Sequence, residues 1–348
     1  MIELMFFEEL GMQGGKDRQM GDGKYRVVSF FSGCGGLDLG FLGGFEYRGE
    51  AYPELPFDIV AAYDFNDSAV RTYRSNISKD AQVCDLSSAK PASMPPADVL
   101  LGGFPCQEFS VCGPRKGLES DRGQLYKAMV RYARAHKPAV IVGENVANLL
   151  YINDGWDFSV IRREFSRAGY RSLVWEVNAA DYGVPQSRRR VIVIFIRKDI
   201  VGQPALPDPA YARAQRSASW AISDLELVSD ESVPNQSQYF KAAKAGNGHG
   251  QGDEITKADR PGYTIRANAK SRIQFHYSLP RRLTVRECAR LQTFPDTFVF
   301  PSGATEAIRQ IGNAVPPVLG YRVAEAISLF LNDLASELIA TQGGGHGG

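Results

Sequence analysis

Val27-Val-Ser-Phe-Phe31 is a short apolar run, and Ser32-Gly-Cys-Gly-Gly36 breaks it with three glycines. The same sequence of events recurs along the chain. Ile59–Tyr63 precedes a helical stretch at Asp67–Asn76, and strand-like Ala81–Cys84 follows. Val99–Leu101 runs into a second glycine turn at Gly102 and Gly103. Helical Gln124–Ala135 feeds the strand Ala139–Val142, and amphipathic Phe158–Ala168 feeds Leu173–Val177 and then Val191–Ile196. Strands alternating with helices predict an α/β fold, a parallel sheet covered on both faces. Ligands of such sheets bind at the carboxyl ends of the strands.

Working outward, the rhythm stops near Lys198. Residues 200–280 are richer in Pro, Ser, Gln, Asn and Gly, which predicts a smaller second domain of mixed or irregular β structure. Helical patterns return at Thr284–Gln292 and Pro317–Leu338. The expected organisation is therefore a leader over 1–23, a main domain over 24–199, a second domain over 200–280, a return to the first over 281–342 and a disordered tail over 343–348. A chain of 348 residues suits about two domains. With 44% hydrophobic and 23% charged residues it is neither disordered nor fibrous. Its longest uninterrupted aliphatic or aromatic run, Val191–Ile196, is far short of the ~18 residues of a membrane helix. No basic n-region precedes an apolar stretch at the start, so no secretory signal is expected. Five widely spaced cysteines without a CxxC pair predict free thiols in a cytoplasmic protein, and no zinc spacing is present.

Net charge is +1, so only its distribution is informative. Nine Lys/Arg fall between Lys257 and Arg290 against two acids, Asp259 and Glu287. Such a stretch is a solvated face or a phosphate-binding surface. Five constellations carry candidate chemistry, the first three of them at strand ends. The first glycine turn lets backbone approach a ligand, although glycine turns are often only turns. Its spacing is not the GxGxxG dinucleotide fingerprint. Beyond it, Asp64 suits the hydroxyls of a ribose and Asp85 an exocyclic amine. Cys106, in Gly102-Gly-Phe-Pro-Cys-Gln107, stands where a ligand would lie, although a lone cysteine is more often an inert buried thiol. Gly143-Glu-Asn-Val146 places a carboxylate that either acts on a ligand or caps a helix. Gln186-Ser-Arg-Arg-Arg190 is a solvated turn or a clamp for phosphate or a base oxygen. Gln310-Ile-Gly-Asn-Ala-Val-Pro-Pro317 includes prolines that suit the start of the last helix.

Together and in this order, these segments resemble the motifs of the DNA cytosine-5 methyltransferases along nearly the whole chain. The matching stretches are Phe31-Ser-Gly-Cys-Gly-Gly36, Pro105-Cys106-Gln107, Glu144-Asn145-Val146, Gln186-x-Arg188-x-Arg190, Arg282-Leu-Thr-x-Arg-Glu287 and Gly312-Asn-x-Val-Pro316. The resemblance implies a Rossmann-like, S-adenosyl-L-methionine-dependent methyltransferase domain, with a smaller, mostly β or irregular target-recognition domain in the motif-free gap at 200–280. It assigns the nucleophile to Cys106, and Glu144, Arg188 and Arg190 to the base. It gives the cofactor Phe31, Gly33, Gly35, Leu37, Asp64, Phe65, Asp85, Leu86, Gly103, Pro105, Leu125, Asn313 and Val315. Where the family often has glutamate then tryptophan, this chain has Asp64 and Phe65, which predicts altered affinity rather than lost binding. Double-stranded DNA is the implied partner. Gln107, Ser110, Arg115 and Arg122 fall on a loop over Gln107–Gly123 expected to close on it, and Arg266, Lys270 and Arg272 fall in the recognition region.

The residue types suit the reaction. A thiolate adding at C6 breaks the aromaticity of cytosine and gives C5 enamine character. A carboxyl group holding a proton at N3 stabilises the charge that develops there. No side chain reaches C6 in a stacked duplex, so the base must be flipped out. No long extension precedes the first motif, which predicts a stand-alone enzyme of the prokaryotic or phage restriction-modification type. It would be paired in function with an endonuclease without a stable complex, and one site with one flipped base suits a monomer. A tRNA methyltransferase of the same fold is the alternative, but its characteristic Cys-Phe-Thr tripeptide is absent. A non-catalytic DNA-binding regulator would have no use for Cys106, Glu144 and Arg190 together.

Overall fold

The computed structural model describes residues 23–104, 124–237, 253–268 and 273–343. Seven strands form one sheet: β1 (Tyr25–Phe30), β4 (Phe57–Asp64), β5 (Gln82–Val83), β6 (Val99–Gly102), β7 (Val140–Val146), β8 (Tyr170–Asn178) and β9 (Arg189–Arg197), in the order β5-β4-β1-β6-β7-β9-β8. A hairpin, β2 (Phe45–Tyr47) and β3 (Glu50–Tyr52), and a parallel pair, β10 (Glu254–Ile255) and β11 (Gln274–Phe275), lie outside it. Neighbouring residues of a strand face opposite sides, so Val27, Leu101, Val142 and Ile194 enter one core and Val28, Leu100, Ile141 and Val193 the other. Burial on both faces is why these strands are continuous apolar runs rather than alternating ones.

The sheet is not wholly parallel. β9 runs antiparallel to both β7 and β8. Only ten residues separate β8 from β9, and a parallel return needs a crossover of about a dozen or more. The chain turns through Ala179–Tyr182 and Gly183, whose φ of 91° favours glycine, and comes back between β7 and β8.

The helices are α1 (Gly36–Leu42), α2 (Asp67–Asn76), α3 (Tyr126–His136), α4 (Trp156–Arg167), α5 (Ala218–Ile222), α6 (Val285–Leu291), α7 (Ala304–Asn313) and α8 (Pro317–Gly343). Met129 and Tyr132 of α3 and Ile161 and Phe165 of α4 cover one face of the sheet, while Val318, Ile327 and Leu331 of α8 cover the other. Ala304–Ser336 is apolar and long enough to cross a membrane, but 78% of its most apolar window is buried, which is the pattern of a core helix. A third core joins Ala221 and Ile222 of α5, Ile265, Val285 and Ala289 of α6, and Ile311 of α7 to Cys34 in the first glycine turn. It includes residues on both sides of position 280.

α1 and α8 meet backbone to backbone. A Cβ added at Gly40 would lie 2.6 Å from both the Gly320 carbonyl carbon and the Tyr321 nitrogen. Backbone cannot swing aside as a side chain can, so Gly40→Ala should destabilise the fold by about 1–3 kcal/mol even though alanine is the better helix former. Thermal unfolding checks this, and an unchanged Tm would show that the helices separate at little cost.

Candidate active site

The carboxyl ends of β1, β4, β6 and β7 lie side by side, and the turns that leave them carry the expected residues. After β1 the chain passes through three left-handed residues, Phe31 (φ 54°), Gly33 (φ 56°) and Gly35 (φ 94°). Asp64, at the end of β4, holds this turn. Its Oδ2 accepts the Gly33 N–H at 2.9 Å and its Oδ1 the Asn66 N–H at 2.8 Å. Burial pushes its carboxyl above the usual range, and these backbone donors oppose the shift. Phe65 follows and is 69% exposed, a position a folded chain gives a large aromatic for little internal benefit. Asp85 is exposed, and bonds from Ser87 hold its carboxyl low. Leu37 and Leu86 are buried, and Leu125 is half-buried just before α3.

The C-terminal motif returns to this turn. A Cβ at Gly36 would lie 2.3 Å from the Val315 carbonyl oxygen, so the two backbones touch. Val315 is buried there, and Asn313, the last residue of α7, is exposed. Residues far apart in sequence thus surround the first glycine turn.

Glu144 is buried near the end of β7, 7% exposed, and its Oε1 lies 2.8 Å from the Arg190 Nε. The reversed direction of β9 makes this pair possible. Antiparallel register places Arg190 opposite Val146 and Ile192 opposite Glu144, so Arg190 and Glu144 are diagonal neighbours on one face. A parallel β9 would have carried Arg190 to the far end of the sheet. The other carboxylate oxygen, Oε2, is the nearest atom to a Cβ placed on Gly103, at 3.9 Å. Asn145, part of the Glu144-Asn145-Val146 motif but given no role there, donates from Nδ2 to the Phe104 carbonyl at 3.2 Å and ties the end of β7 to the chain leading toward Cys106.

Arg188 differs from expectation. It is 2% exposed, and its guanidinium donates to the carbonyls of Ile265 (3.1 Å), Gly312 (3.0 Å) and Ala314 (3.0 Å). A side chain committed to backbone carbonyls in this way positions its neighbours rather than touching a base. Pro105, Cys106, Gln107, Ser110, Arg115, Arg122, Lys270 and Arg272 lie outside the described residues.

The basic stretch is also partly internal. Arg281 pairs with both oxygens of Glu287, at 2.8 and 2.7 Å, where Thr284 and Glu287 form a reciprocal cap of α6. Arg286 is buried and donates to the carbonyls of Pro234, Pro295 and Phe298, and burial lowers its guanidinium to about 10. Arg290 pairs with Asp296 and Asp224. These arginines fasten the third core. Arg266 remains half-buried in an ion pair with Glu254 at 3.4 Å.

Asp38 was not anticipated as a titrating group. It is 1% exposed beneath the glycine turn, and Tyr73 Oη donates to it at 3.0 Å. Burial pushes its carboxyl up to about 6 from an ordinary 3.8. A folded-state value above the unfolded one means that ionisation opposes folding. The cost is fully present above about pH 6 and is relieved as pH falls toward the unfolded value. Asp38→Asn keeps an acceptor for Tyr73 and removes the ionisation. The variant should therefore gain on the wild type by on the order of 2 kcal/mol between about pH 4 and about pH 7. Urea unfolding at both pH values measures this, and a pH-independent difference would contradict it.

A model of the C-5 cytosine-specific DNA methylases matches residues 25–242 and 209–329, and the chain belongs to that family. It is 34% identical over 340 residues to the Type II methyltransferase M.NgoFVII of Neisseria gonorrhoeae, covering 89% of this chain and 88% of that protein. The Type II methyltransferase M.FnuDI of Fusobacterium nucleatum is 29% identical over 341 residues, with 88% and 95% covered. Among solved structures, the fold is similar to the Dnmt2 methyltransferase of S. pombe, with TM-score 0.66, 22% identity, and 89% and 99% of the chains covered. It is similar too to the methyltransferase EhMeth of Entamoeba histolytica, with TM-score 0.66, 17% identity, and 89% and 99% covered. The protein is thus a DNA cytosine-5 methyltransferase of the restriction-modification type, with DNA as its substrate and S-adenosyl-L-methionine as its methyl donor.

The first glycine turn fits that donor. Ser32 Oγ is buried without a hydrogen-bond partner among the described residues, and nothing lies within 4 Å of a Cβ at Gly33. A buried polar atom left unpaired beside open space matches a polar ligand, and the exposed Phe65 ring offers an adenine a stacking face.

Proposed function

We propose that the protein methylates C5 of a cytosine flipped out of duplex DNA at one short sequence, through a covalent bond between Cys106 and C6. The observation that carries this reading is the Glu144–Arg190 pair at the end of β7, with its second carboxylate oxygen facing Gly103, three residues before Cys106. Bound S-adenosyl-L-methionine supplies an electrophilic methyl group on a sulfonium, a good leaving group, to C5 once that carbon is activated.

The chain's own residues do the rest. The Cys106 thiolate adds to C6, and Glu144 holds a proton at N3 where negative charge would otherwise accumulate. Arg190 fixes one Glu144 oxygen and leaves the other to the base, and its remaining donors suit the base carbonyl. Release of the C5 proton to solvent water, departure of the Cys106 sulfur as thiolate and return of the N3 proton to Glu144 restore the ring. Asp64 and Asp85 suit the hydroxyls and amine of the cofactor, Phe65 its adenine, and Asn313 and Val315 complete the rim. The part of the chain over 200–280, with Arg266, Lys270 and Arg272, recognises the target, and the segment holding Gln107, Ser110, Arg115 and Arg122 contacts the strand being opened. The enzyme acts as a cytoplasmic monomer that protects host DNA from an endonuclease with which it forms no stable complex.

Bisulfite mapping of a plasmid treated with purified protein and S-adenosyl-L-methionine tests the reading. Protected cytosines at one short motif are expected. A plasmid with no protected cytosine would refute it, and protection of RNA in its place would move the substrate to the tRNA branch.

A further inference from the structure

A closed ring of hydrogen bonds joins three segments that the reaction needs in register. Gln186 Oε1 accepts the N–H of Ile265 at 2.9 Å, and Arg188 Nη1 donates to the carbonyl of the same residue at 3.1 Å. Arg188 Nη2 continues to the carbonyls of Gly312 and Ala314. Gln292 Nε2 donates to that same Ala314 carbonyl, and Gln186 Nε2 donates to Gln292 Oε1 at 2.6 Å, which closes the ring. Gln186 and Gln292 are fully buried and Arg188 and Ile265 are 2% exposed, so the links among these residues are shut off from water, while those to the half-buried Ala314 lie at the edge of the core. Around the ring, Thr264 Oγ1 donates to Ser187 O at 2.7 Å, and the backbones of Arg266 and Gly312 approach so closely that a Cβ at Gly312 would lie 2.4 Å from the Arg266 carbonyl carbon.

Three of the side chains expected to meet a ligand, Arg266, Asn313 and Arg190, are one or two residues from a ring member. Arg266, expected on DNA, follows Ile265. Asn313, expected on the cofactor, stands between the two carbonyls that Arg188 holds, and Arg190, beside Glu144, is two residues on along β9. We propose that Arg188 is a positioning residue that couples DNA binding at the 262–267 segment to cofactor binding at Asn313 and Val315. The inference rests on the proposed reaction and adds a regulatory consequence to it. A shift of Ile265 when DNA engages Arg266 is passed by one rigid, planar guanidinium to the Gly312 and Ala314 carbonyls, and hence to the cofactor rim. By linkage the effect is reciprocal, so a bound cofactor tightens DNA by the same factor.

The test is calorimetric titration of S-adenosyl-L-homocysteine into the full-length protein, with and without a duplex carrying the sequence that bisulfite mapping identifies. In the wild type the duplex should tighten binding by about fivefold or more, within the usual range of such couplings. Arg188→Lys retains the charge but can reach only one or two of the three carbonyls, and the factor should fall below about twofold. Thr264→Val, which loses one exposed bond and leaves the core intact, should reduce the factor in the same direction, and it decides the matter if the lysine variant does not fold. A lysine variant with a lower Tm but the wild-type coupling would show that Arg188 is structural only, and the inference would fall. A wild type that methylates DNA but binds the homocysteine equally with and without it would also overturn the inference while leaving the reaction standing. A wild type that methylates no DNA would overturn both.

Discussion

Cys106→Ala should abolish methyl transfer, with a loss of at least about 10⁴-fold, while binding of the duplex changes little. Unactivated C5 is a weak nucleophile in an aromatic ring, so without addition of the Cys106 sulfur at C6 it does not take the methyl group. The remaining cysteines with described surroundings do not compete. Cys34 and Cys288 are buried, and burial drives their thiols far up, so neither forms a thiolate at neutral pH. Cys84 is partly exposed but its thiol is raised as well, by burial and by Asp85. Transfer of a labelled methyl group measures the loss. A second readout isolates the bond itself. On a duplex with fluorine at C5 of the target base, no proton is available to leave, so the wild type should remain attached to DNA through denaturation and the variant should not. Residual methylation within about tenfold of the wild type would mean that another nucleophile adds to C6.

Much of the fold was legible because the buried strands are written as apolar runs closed by glycine, as in Val27–Phe31 and Val99–Gly103. Asp67–Asn76 was expected as a helix and is one, with Asn66 as its cap. Strand direction was not legible, since a run such as Val191–Ile196 has the same composition whichever way it enters the sheet. Yet that direction is what brings Arg190 to Glu144. Helix α7 was not anticipated because Pro301-Ser-Gly303 signals a turn and the helix is short, although Ala307, Ile308 and Ile311 do give it an apolar face beside Gln310 and Gly312. The small residues are there because backbone, not side chain, meets its C-terminal end.

For the site, sequence reasoning located residues whose chemistry is local, such as Asp64 and Glu144 at strand ends. It failed where a charge has two equally ordinary uses. Arg188, Arg281, Arg286 and Arg290 look like a DNA-facing series when counted along the chain, but each is bonded to carbonyls or carboxylates of its own fold. What separates them from an arginine that meets a phosphate is the burial of the guanidinium itself, as in Arg290, 3% exposed although its partners Asp224 and Asp296 are not buried.

Glu144→Gln should lower the rate of methyl transfer by about 10²–10⁴-fold, the range for removing a positioned acid. Glutamine keeps the size of the side chain and can still hydrogen-bond, but it cannot hold a proton that moves toward N3 as charge builds there. Because that interaction grows only on the way to the transition state, kcat and kcat/KM should fall together, with KM for DNA nearly unchanged. The pairing with Arg190 sharpens the expectation. At 2.8 Å the Nε–Oε1 contact holds one oxygen, so in the glutamine variant the guanidinium loses a charged partner while only 11% of its side chain is exposed. Some stability should be lost as well, and a Tm measured on the same preparation separates that loss from the chemical one. Arg190→Lys supplies the complementary case. It preserves Glu144 and a positive charge but removes the planar fork that orients the carboxylate, so its deficit should be smaller than that of Glu144→Gln and should include a rise in KM, because donors to the base carbonyl act in the ground state too. Single-turnover rates at saturating cofactor distinguish these outcomes, and a glutamine variant within about threefold of the wild type would remove Glu144 from the proton's path.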